Sequence, residues 1–377
     1  MPAAPATRPN ASVIQFRRLP KAVKLLHDSE AAAQEGGLVH LSAEELTVLR
    51  RKSGKGFSYV TADGRAVKSP STLARIRSLA IPPAWTDVRI ASNPRGHLQC
   101  TGHDARGRKQ YRYHPRFREV RDLAKYHEIV EFATELPKLR RAIERDLASP
   151  ALTKDKVVAT ILRIMDRTSL RVGNDRYARD NASFGLTTLK DRHAQISGRT
   201  VAFSFRGKGG KDYRASIRDR KLAAIVKRCR DIPGQRLFQY LDANGRHRGV
   251  TSTDVNAYIR NAMGRSFTAK EFRTWSATVH ATVFLHECVV PKNVTHRRKS
   301  LLSAIDRVAE HLGNTRAICR KSYIHPLVID AYESDKLTKA FARCLAGARP
   351  PSGLRREECA VLSLLGSLSR ATVRAAA

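Results

Sequence analysis

The spacing of apolar residues divides the chain into stretches of different texture. Between residues 57 and 113 they come in short runs separated by turn residues. These are Phe57-Ser-Tyr-Val-Thr61 before Asp63-Gly64, Val88-Arg-Ile90, His97-Leu-Gln-Cys-Thr101 and Arg108–Tyr113, with turns at Asn93–Gly96 and Asp104–Gly107. Short runs between such signals predict an antiparallel meander that ends near Arg116. One helix interrupts it at Ser71–Leu79, with Leu73, Ile76 and Leu79 on one side, Ser71 or Thr72 as cap and Pro82-Pro83 as stop. From about residue 118 the spacing changes to three and four, predicting helices over Val120–Leu147 and Lys154–Leu170 and again from Arg220 through Ala346. A β island lies between: Val201, Phe203 and Phe205 alternate, as do Tyr213, Ala215 and Ile217, around the Gly/Lys tip Arg206–Lys211. Pro350-Pro351 break the pattern ahead of a short amphipathic segment containing Val361, Leu364, Leu365 and Leu368. The expected class is α+β. A flexible basic arm (1–30) leads into a small antiparallel β-rich domain (31–117). A mostly α-helical domain with a small β-hairpin sheet follows (118–348), then a tail with a short helix (349–377).

Composition narrows the function. Hydrophobic residues make up 42% of the 377, enough for a buried core, so disorder throughout is excluded. No run approaches the ~20 apolar residues of a membrane span, and the first residues lack the apolar stretch of a secretion signal. The six Cys are scattered without a C-x-x-C, which argues against a zinc ribbon or a disulfide framework and fits a reducing cytoplasm. Against 34 Asp+Glu stand 70 Lys+Arg, a net charge of +36 spread along nearly the whole chain. Solubility needs only about 2–8 charges. A folded chain with this self-repulsion calls for a polyanion, with nucleic acid the first choice and an anionic membrane the second.

Four segments carry candidate chemistry. Lys208 and Lys211 sit among glycines at the hairpin tip. The tip is not a P-loop, because Asp212 follows the last Lys and strands flank it. By itself such a turn is a solvated basic loop. In Leu170–Tyr177, Gly173 can end one helix and Asn174 or Asp175 can cap the next; Arg171 near such a junction could point into a cleft, while taken alone it reads as a surface Arg. In Phe272-Arg-Thr-Trp275, Arg273 is fixed between burying aromatics, a setting that usually supplies an anionic partner. Gly313–Tyr323 reads as a capped turn and a basic helix carrying Tyr323 after Arg320-Lys321. A helical Tyr is ordinarily a packing residue. Nearby guanidinium groups, however, favour the phenolate over a phenol of ordinary pKa near 10, and a phenolate can attack phosphorus. His280, His286 and His296 come nearest to a cluster but lack ligand spacing, so no metal is expected. Two Arg, a Lys on a flexible hairpin, a neutral hydrogen-bond donor and a Tyr are together the parts of a metal-free phosphodiester transesterase.

With these residues in place the chain resembles the type IB DNA topoisomerases, in particular the compact bacterial and poxvirus-like branch, over about residues 57 to 330. That family's R-x-G-x-x-x-Y motif is matched by Arg171-Val-Gly173 to Tyr177, and its Gly-Lys on the hairpin by Gly207-Lys208. Its K-x-x-R is matched by Lys270 to Arg273. Its block from Gly-His to Tyr is matched by Gly313 to Tyr323, with Asn314 in the His position. An Asn there can donate a hydrogen bond but cannot titrate. The resemblance implies that Tyr323 is the nucleophile, that Arg171, Arg273 and Asn314 hold the phosphate, and that Lys208 protonates the leaving oxygen, with Lys211 as the competing acid. It also implies DNA contacts by Tyr177, Lys211 and Lys270, and by Gln110, Tyr111 and Tyr113 on a strand that enters the major groove, where Gln can read adenine. The implied partner is duplex DNA in the nucleoid, gripped by a monomer closing as a clamp, without ATP, metal or other cofactor. A tyrosine recombinase would carry H-x-x-R in place of Lys270 to Arg273 and would space Arg273 and Asn314 about half as far apart. A basic protein that merely binds DNA would leave five matched residues in order unexplained.

Overall fold

In a computed structural model of the chain, residues 22–288 and 293–376 are described, with side chains described over 25–288 and 293–369. They divide into two compact units that meet at Glu128–Ile129. The chain belongs to the expected α+β class.

The N-terminal unit opens with two short helices, α1 (Ala22–His27) and α2 (Ser29–Glu35). Of the arm expected over residues 1–30, residues 1–21 lie outside the described residues. The remainder is helical because Leu25, Ala32 and Ala33 bury against Leu38, Phe117, Val120 and Ala124. The sheet contains β1 (Val48–Ser53), β2 (Gly56–Thr61), β3 (Thr86–Ile90), β4 (Leu98–His103) and β5 (Lys109–Tyr113). It is antiparallel in the order β2-β1-β3-β4-β5, which places β5 at an edge. The meander extends further than expected: β1 pairs β2 from Val48↔Thr61 to Ser53↔Gly56. The turn at Asp63-Gly64 returns the chain only as far as the single bridge Val60↔Ala66. Helix α3 (Pro70–Ser78) is capped by Ser69, whose Oγ accepts from the Thr72 amide at 3.4 Å, with Pro70 in the first turn, rather than by Ser71 or Thr72. It buries Ile76 against Val48, Val88, Ile90 and Cys100.

Helix α4 (Pro115–Ala148) leads into the second unit. The elements that follow are α5 (Lys154–Thr168), α6 (Asp175–Asn181), β6 (Ala194–Ser197), β7 (Thr200–Arg206), β8 (Asp212–Arg218), α7 (Arg220–Arg230), β9 (Gln239–Leu241), β10 (His247–Gly249), α8 (Ser252–Met263), α9 (Ala269–Glu287), α10 (Val294–Leu312), α11 (Arg316–Ser322), α12 (Pro326–Glu333), α13 (Leu337–Ala346) and α14 (Arg356–Ala376). The predicted hairpin is the β7–β8 pair, with Arg206↔Asp212 at its tip, and β6 adds a third strand. A second hairpin, β9–β10, interrupts the region expected to be helical throughout. The tail is also more ordered than a short helix, because α14 is twenty-one residues long and buries Ala360, Val361, Leu364 and Leu365.

A largely buried ion-pair network fixes α14 to the unit. Arg140 of α4 donates bidentately to Asp166 of α5 (2.7 and 3.0 Å) and to Glu358 of α14 (2.7 and 2.9 Å), and also to the Gly353 carbonyl (2.7 Å). Trp275 Nε1 of α9 donates to the same Glu358 at 3.3 Å. Burial would push the Glu358 carboxyl up, yet Arg140 holds it below the ordinary range. Arg355 also pairs with Asp166 at 3.3 Å, and its amide donates to Glu358 at 2.9 Å. Arg140→Ala therefore leaves the two carboxylates partly satisfied and should cost about 3 kcal/mol, the low end for a broken buried pair, in urea denaturation. Since Glu358 titrates lower when folded than the roughly 4.3 of an unfolded Glu, this contribution is full above about pH 5 and is lost as pH falls through the folded value.

Candidate active site

Six of the residues singled out in the second unit, Arg171, Tyr177, Lys208, Lys270, Arg273 and Tyr323, line one cleft of about 420 Å³, and Asn314 and Lys211 are not in its lining. Each arrives by a local device. Helix α5 ends at Thr168 because Ser169 turns left-handed (φ 56°). Gly173 is therefore not the helix terminator; it lies further on, beyond that turn. Its neighbours Arg171 and Val172 accept main-chain bonds from Leu186 (2.9 Å) and Thr187 (2.7 Å), which fixes the backbone beneath Arg171. Asn174 caps α6 by accepting from the Tyr177 amide at 3.0 Å, which sets Tyr177 in the first helical turn. Helix α9 starts at a reciprocal Thr268–Glu271 cap, so that Phe272, Arg273 and Trp275 fall on the buried face while Lys270 stays exposed. Tyr323 is not on a helix: it is the residue after α11, at φ −125°, its amide still bonded to the Cys319 carbonyl at 3.1 Å.

Arg273 is 4% exposed, yet it donates to the main-chain carbonyls of Ser169 and Leu312 (2.8 Å for the latter) rather than to a carboxylate. The anionic partner expected for it is not supplied by these contacts, and its Nε is buried without an acceptor. Arg171 likewise donates to neutral groups, the Tyr213 hydroxyl and Asn314 Oδ1 (2.6 Å). Asn314 sits in the short joint between α10 and α11, and its buried Nδ2 has only the weakly accepting Cys319 sulfur beside it. A buried donor left unpaired costs about 1–3 kcal/mol, so such donors are suited to a ligand. Both tip lysines are exposed; Lys211 donates to the Asn314 carbonyl at 3.0 Å, whereas Lys208 lines the cleft. The Arg273 guanidinium carbon lies 5.4 Å from the Tyr323 ring centroid. Burial would raise the Tyr323 phenol, but the Arg273 charge, aided by Arg171 and Lys208, brings it below the ordinary value. Burial lowers Arg273, and repulsion from Arg171 lowers it further. The cleft is a cationic hollow with a phenol at its edge, able to hold an anion and attack it.

Residues 114–344 match the family model of the eukaryotic DNA topoisomerase I catalytic core, and residues 56–104 match that of the bacterial DNA topoisomerase IB N-terminal domain. The chain belongs to the type IB DNA topoisomerase family. It is 33% identical to DNA topoisomerase 1B of Acanthamoeba polyphaga mimivirus over 295 residues, 76% of this chain and 88% of that protein. It is 20% identical to vaccinia virus (strain Copenhagen) DNA topoisomerase 1B over 68% of this chain and 80% of that one. Identity to Schizosaccharomyces pombe DNA topoisomerase 1 is 28%, over 48% of this chain and 21% of that longer protein.

The remaining expected DNA contacts of this topoisomerase belong to the N-terminal unit. On β5, Tyr111 is 46% exposed and stacks at 6.0 Å on Tyr113, which packs inward against His97 and Phe117. The Gln110 amide donates to Asp104 at 2.9 Å within the β4–β5 turn. Tyr113 is thus a packing residue as well as a candidate contact, and Gln110 already has a partner. No helix among the described residues is long and apolar enough to cross a membrane, and none of their His, Cys, Asp and Glu side chains group into a metal-binding set. Two groups around the cleft had no sequence signal. Tyr213 read only as an inward position of a strand, and Ser169 as an ordinary helix residue. The Ser169 hydroxyl binds Ser276 (2.6 Å) and His311 (3.1 Å) while its carbonyl holds Arg273. Ser169 is the local cap of α5, its amide bonded to the Met165 carbonyl at 2.8 Å, and its partners Ser276, Arg273 and His311 come from α9 and α10.

Proposed function

We propose that this topoisomerase relaxes supercoiled duplex DNA by transient cleavage of one strand at the cleft. The observation that carries this reading is that both arginines spend their inward donors on neutral acceptors. Their two positive charges are therefore left for a phosphodiester. Arg171, Arg273 and Asn314 would hold the non-bridging oxygens and offset the charge that grows on them in the transition state. The Tyr323 phenolate attacks phosphorus, the new bond joins the Tyr323 oxygen to the 3′ phosphate, and the bond to the 5′ oxygen breaks. Lys208 gives that oxygen its proton, leaving a 3′-phosphotyrosine and a free 5′-hydroxyl. Rotation of the free end releases torsional strain, and the hydroxyl then attacks the phosphotyrosine to restore the strand. The reaction is isoenergetic in phosphodiester bonds, so it draws on no ATP, and the side-chain cations take the place of a metal.

Plasmid relaxation in chelator, without nucleotide, tests the proposal. Supercoiled DNA should relax, and detergent added during the reaction should trap protein on the 3′ side of a nick. Binding without relaxation, or relaxation that stops in chelator, would overturn it.

A further inference from the structure

Tyr213 lies outside the matched catalytic motifs and touches three of the segments that supply them. It is buried on β8, just past the hairpin tip. Its ring fits between two glycines. A Cβ on Gly207 would come within 2.5 Å of the ring, and one on Gly313 within 2.3 Å, so only glycine admits the ring at either position. Gly207 precedes Lys208 and Gly313 precedes Asn314. The ring is therefore wedged between the backbone of the proposed acid and that of the proposed amide donor.

The hydroxyl adds direction. A phenol has one proton to donate, and here it goes to the Gly313 carbonyl at 2.8 Å, with a longer approach of 3.4 Å to Leu312. The oxygen is left as an acceptor, and Arg171 Nη1 donates to it. Arg171 Nη2 is held by Asn314 Oδ1 at 2.6 Å, one residue beyond Gly313. The two inward donors of the guanidinium are thus tied to one small framework of Tyr213, Gly313 and Asn314, and Lys211 closes it by donating to the Asn314 carbonyl at 3.0 Å. Guanidinium carries five donors, so three remain for a ligand. With both ends of its fork bonded, turning the Arg171 side chain requires breaking two hydrogen bonds.

We propose that Tyr213 is a positioning residue for the transesterification, setting the plane in which Arg171 meets the scissile phosphate and coupling that plane to the seating of the hairpin. The inference rests on Arg171 acting as a phosphate clamp. Docking of the β7–β8 tip and orientation of the arginine become one event, because Tyr213 belongs to the hairpin and its hydroxyl holds the guanidinium. The ring also lies 5.5 Å from the Arg171 guanidinium carbon, but this face contact sets no donor direction, so the hydroxyl is what fixes the plane, and Lys211 accepts nothing from Arg171.

Single-turnover formation of the covalent adduct on a duplex with one cleavage site tests the role. Tyr213→Phe keeps the ring in its slot and removes only the hydroxyl. Adduct formation should slow about 10- to 100-fold, the range expected when a clamp is misplaced by about an ångström. DNA affinity should hold, because no charge is lost. The same substitution placed on Arg171→Ala should cost much less, since the main route runs through the missing guanidinium and only the bond to the Gly313 carbonyl is then lost. A neutral methylphosphonate at the scissile position, which removes the charge that Arg171 would stabilise, should likewise shrink the Tyr213→Phe defect. A wild-type adduct rate in Tyr213→Phe would overturn the proposal. So would a defect that multiplies undiminished on Arg171→Ala, the mark of general loosening, and this comparison decides even if Tyr213→Phe lowers stability. Absence of any adduct with the unaltered protein would instead overturn the catalytic reading itself.

Discussion

Tyr323→Phe should yield no covalent adduct and no relaxation above background while still binding supercoiled DNA. The phenol oxygen is the atom proposed to bond to phosphorus, and Phe removes it while leaving the ring beneath Arg273. The guanidinium carbon is 5.4 Å from the ring centroid, so the aromatic contact survives the change. Binding should change little, because the electrostatic grip comes from a chain with a net charge of +36 and not from one neutral hydroxyl. The unaltered enzyme should also show a pH profile with a definite sign. Burial opposes ionisation of Tyr323, but Arg273 first, then Arg171 and Lys208, favour it more strongly. Cleavage should therefore rise with pH as the phenolate forms, with a midpoint below the roughly 10 of an ordinary phenol. Arg273→Ala removes the leading favourable charge. It should shift that midpoint upward, besides costing on the order of 10² to 10³ in rate from lost transition-state stabilisation. A Tyr323→Phe protein that relaxes plasmid at near the normal rate would remove this residue from the reaction.

Lys208→Ala should lower the cleavage rate on the order of 10² to 10⁴, the range for loss of a general acid. Two lysines share the hairpin tip, and their surroundings separate them. Both are exposed, but Lys211 donates to the Asn314 carbonyl, whereas Lys208 borders the cleft that holds Arg171, Arg273 and Tyr323. The tip turns through Gly209 and Gly210, both at positive φ, which lets the Lys208 side chain reach inward once a strand is bound. The leaving group provides the sharper measurement. A 5′-bridging sulfur departs as a thiolate and needs little protonation. Lys208→Ala should thus cleave sulfur-substituted DNA nearly as fast as the unaltered enzyme does, while Arg171→Ala should stay slow on both substrates. Equal loss on both substrates would make Lys208 a phosphate clamp and move the search for the acid to Lys211.

Much of the molecule was legible in its residues. Val88–Ile90, His97–Thr101 and Arg108–Tyr113 announce their strands by turn signals at both ends, and α5 by apolar residues at three- and four-residue spacing. The strands that went unread are short or ambiguous. Residues 194–197 and 239–241 offer too few positions for alternation to show, and Val-Leu-Arg-Arg-Lys-Ser over β1 does not alternate. These strands exist because a neighbour supplies their main-chain partners. Side-chain periodicity cannot report such pairing, since hydrogen bonds between strands leave no mark on the order of side chains.

For the site, residue types and spacings, read with the family motifs they match, named Arg171, Lys208, Arg273, Asn314 and Tyr323, because motif chemistry is carried by side chains in fixed local frames. What they could not determine is how those frames meet. Only the tertiary structure decided that Arg273 would face carbonyls rather than a carboxylate, that Lys211 would reach the Asn314 carbonyl while Lys208 borders the cleft, and that the Ser169 carbonyl would hold Arg273. It also decided that Tyr213 would slot between Gly207 and Gly313. Each of these depends on groups far apart in the chain, as Arg273 and Ser169 are. Local periodicity reports which face of an element is buried. Which partner buries it, and whether that partner is charged, is settled only when the elements pack.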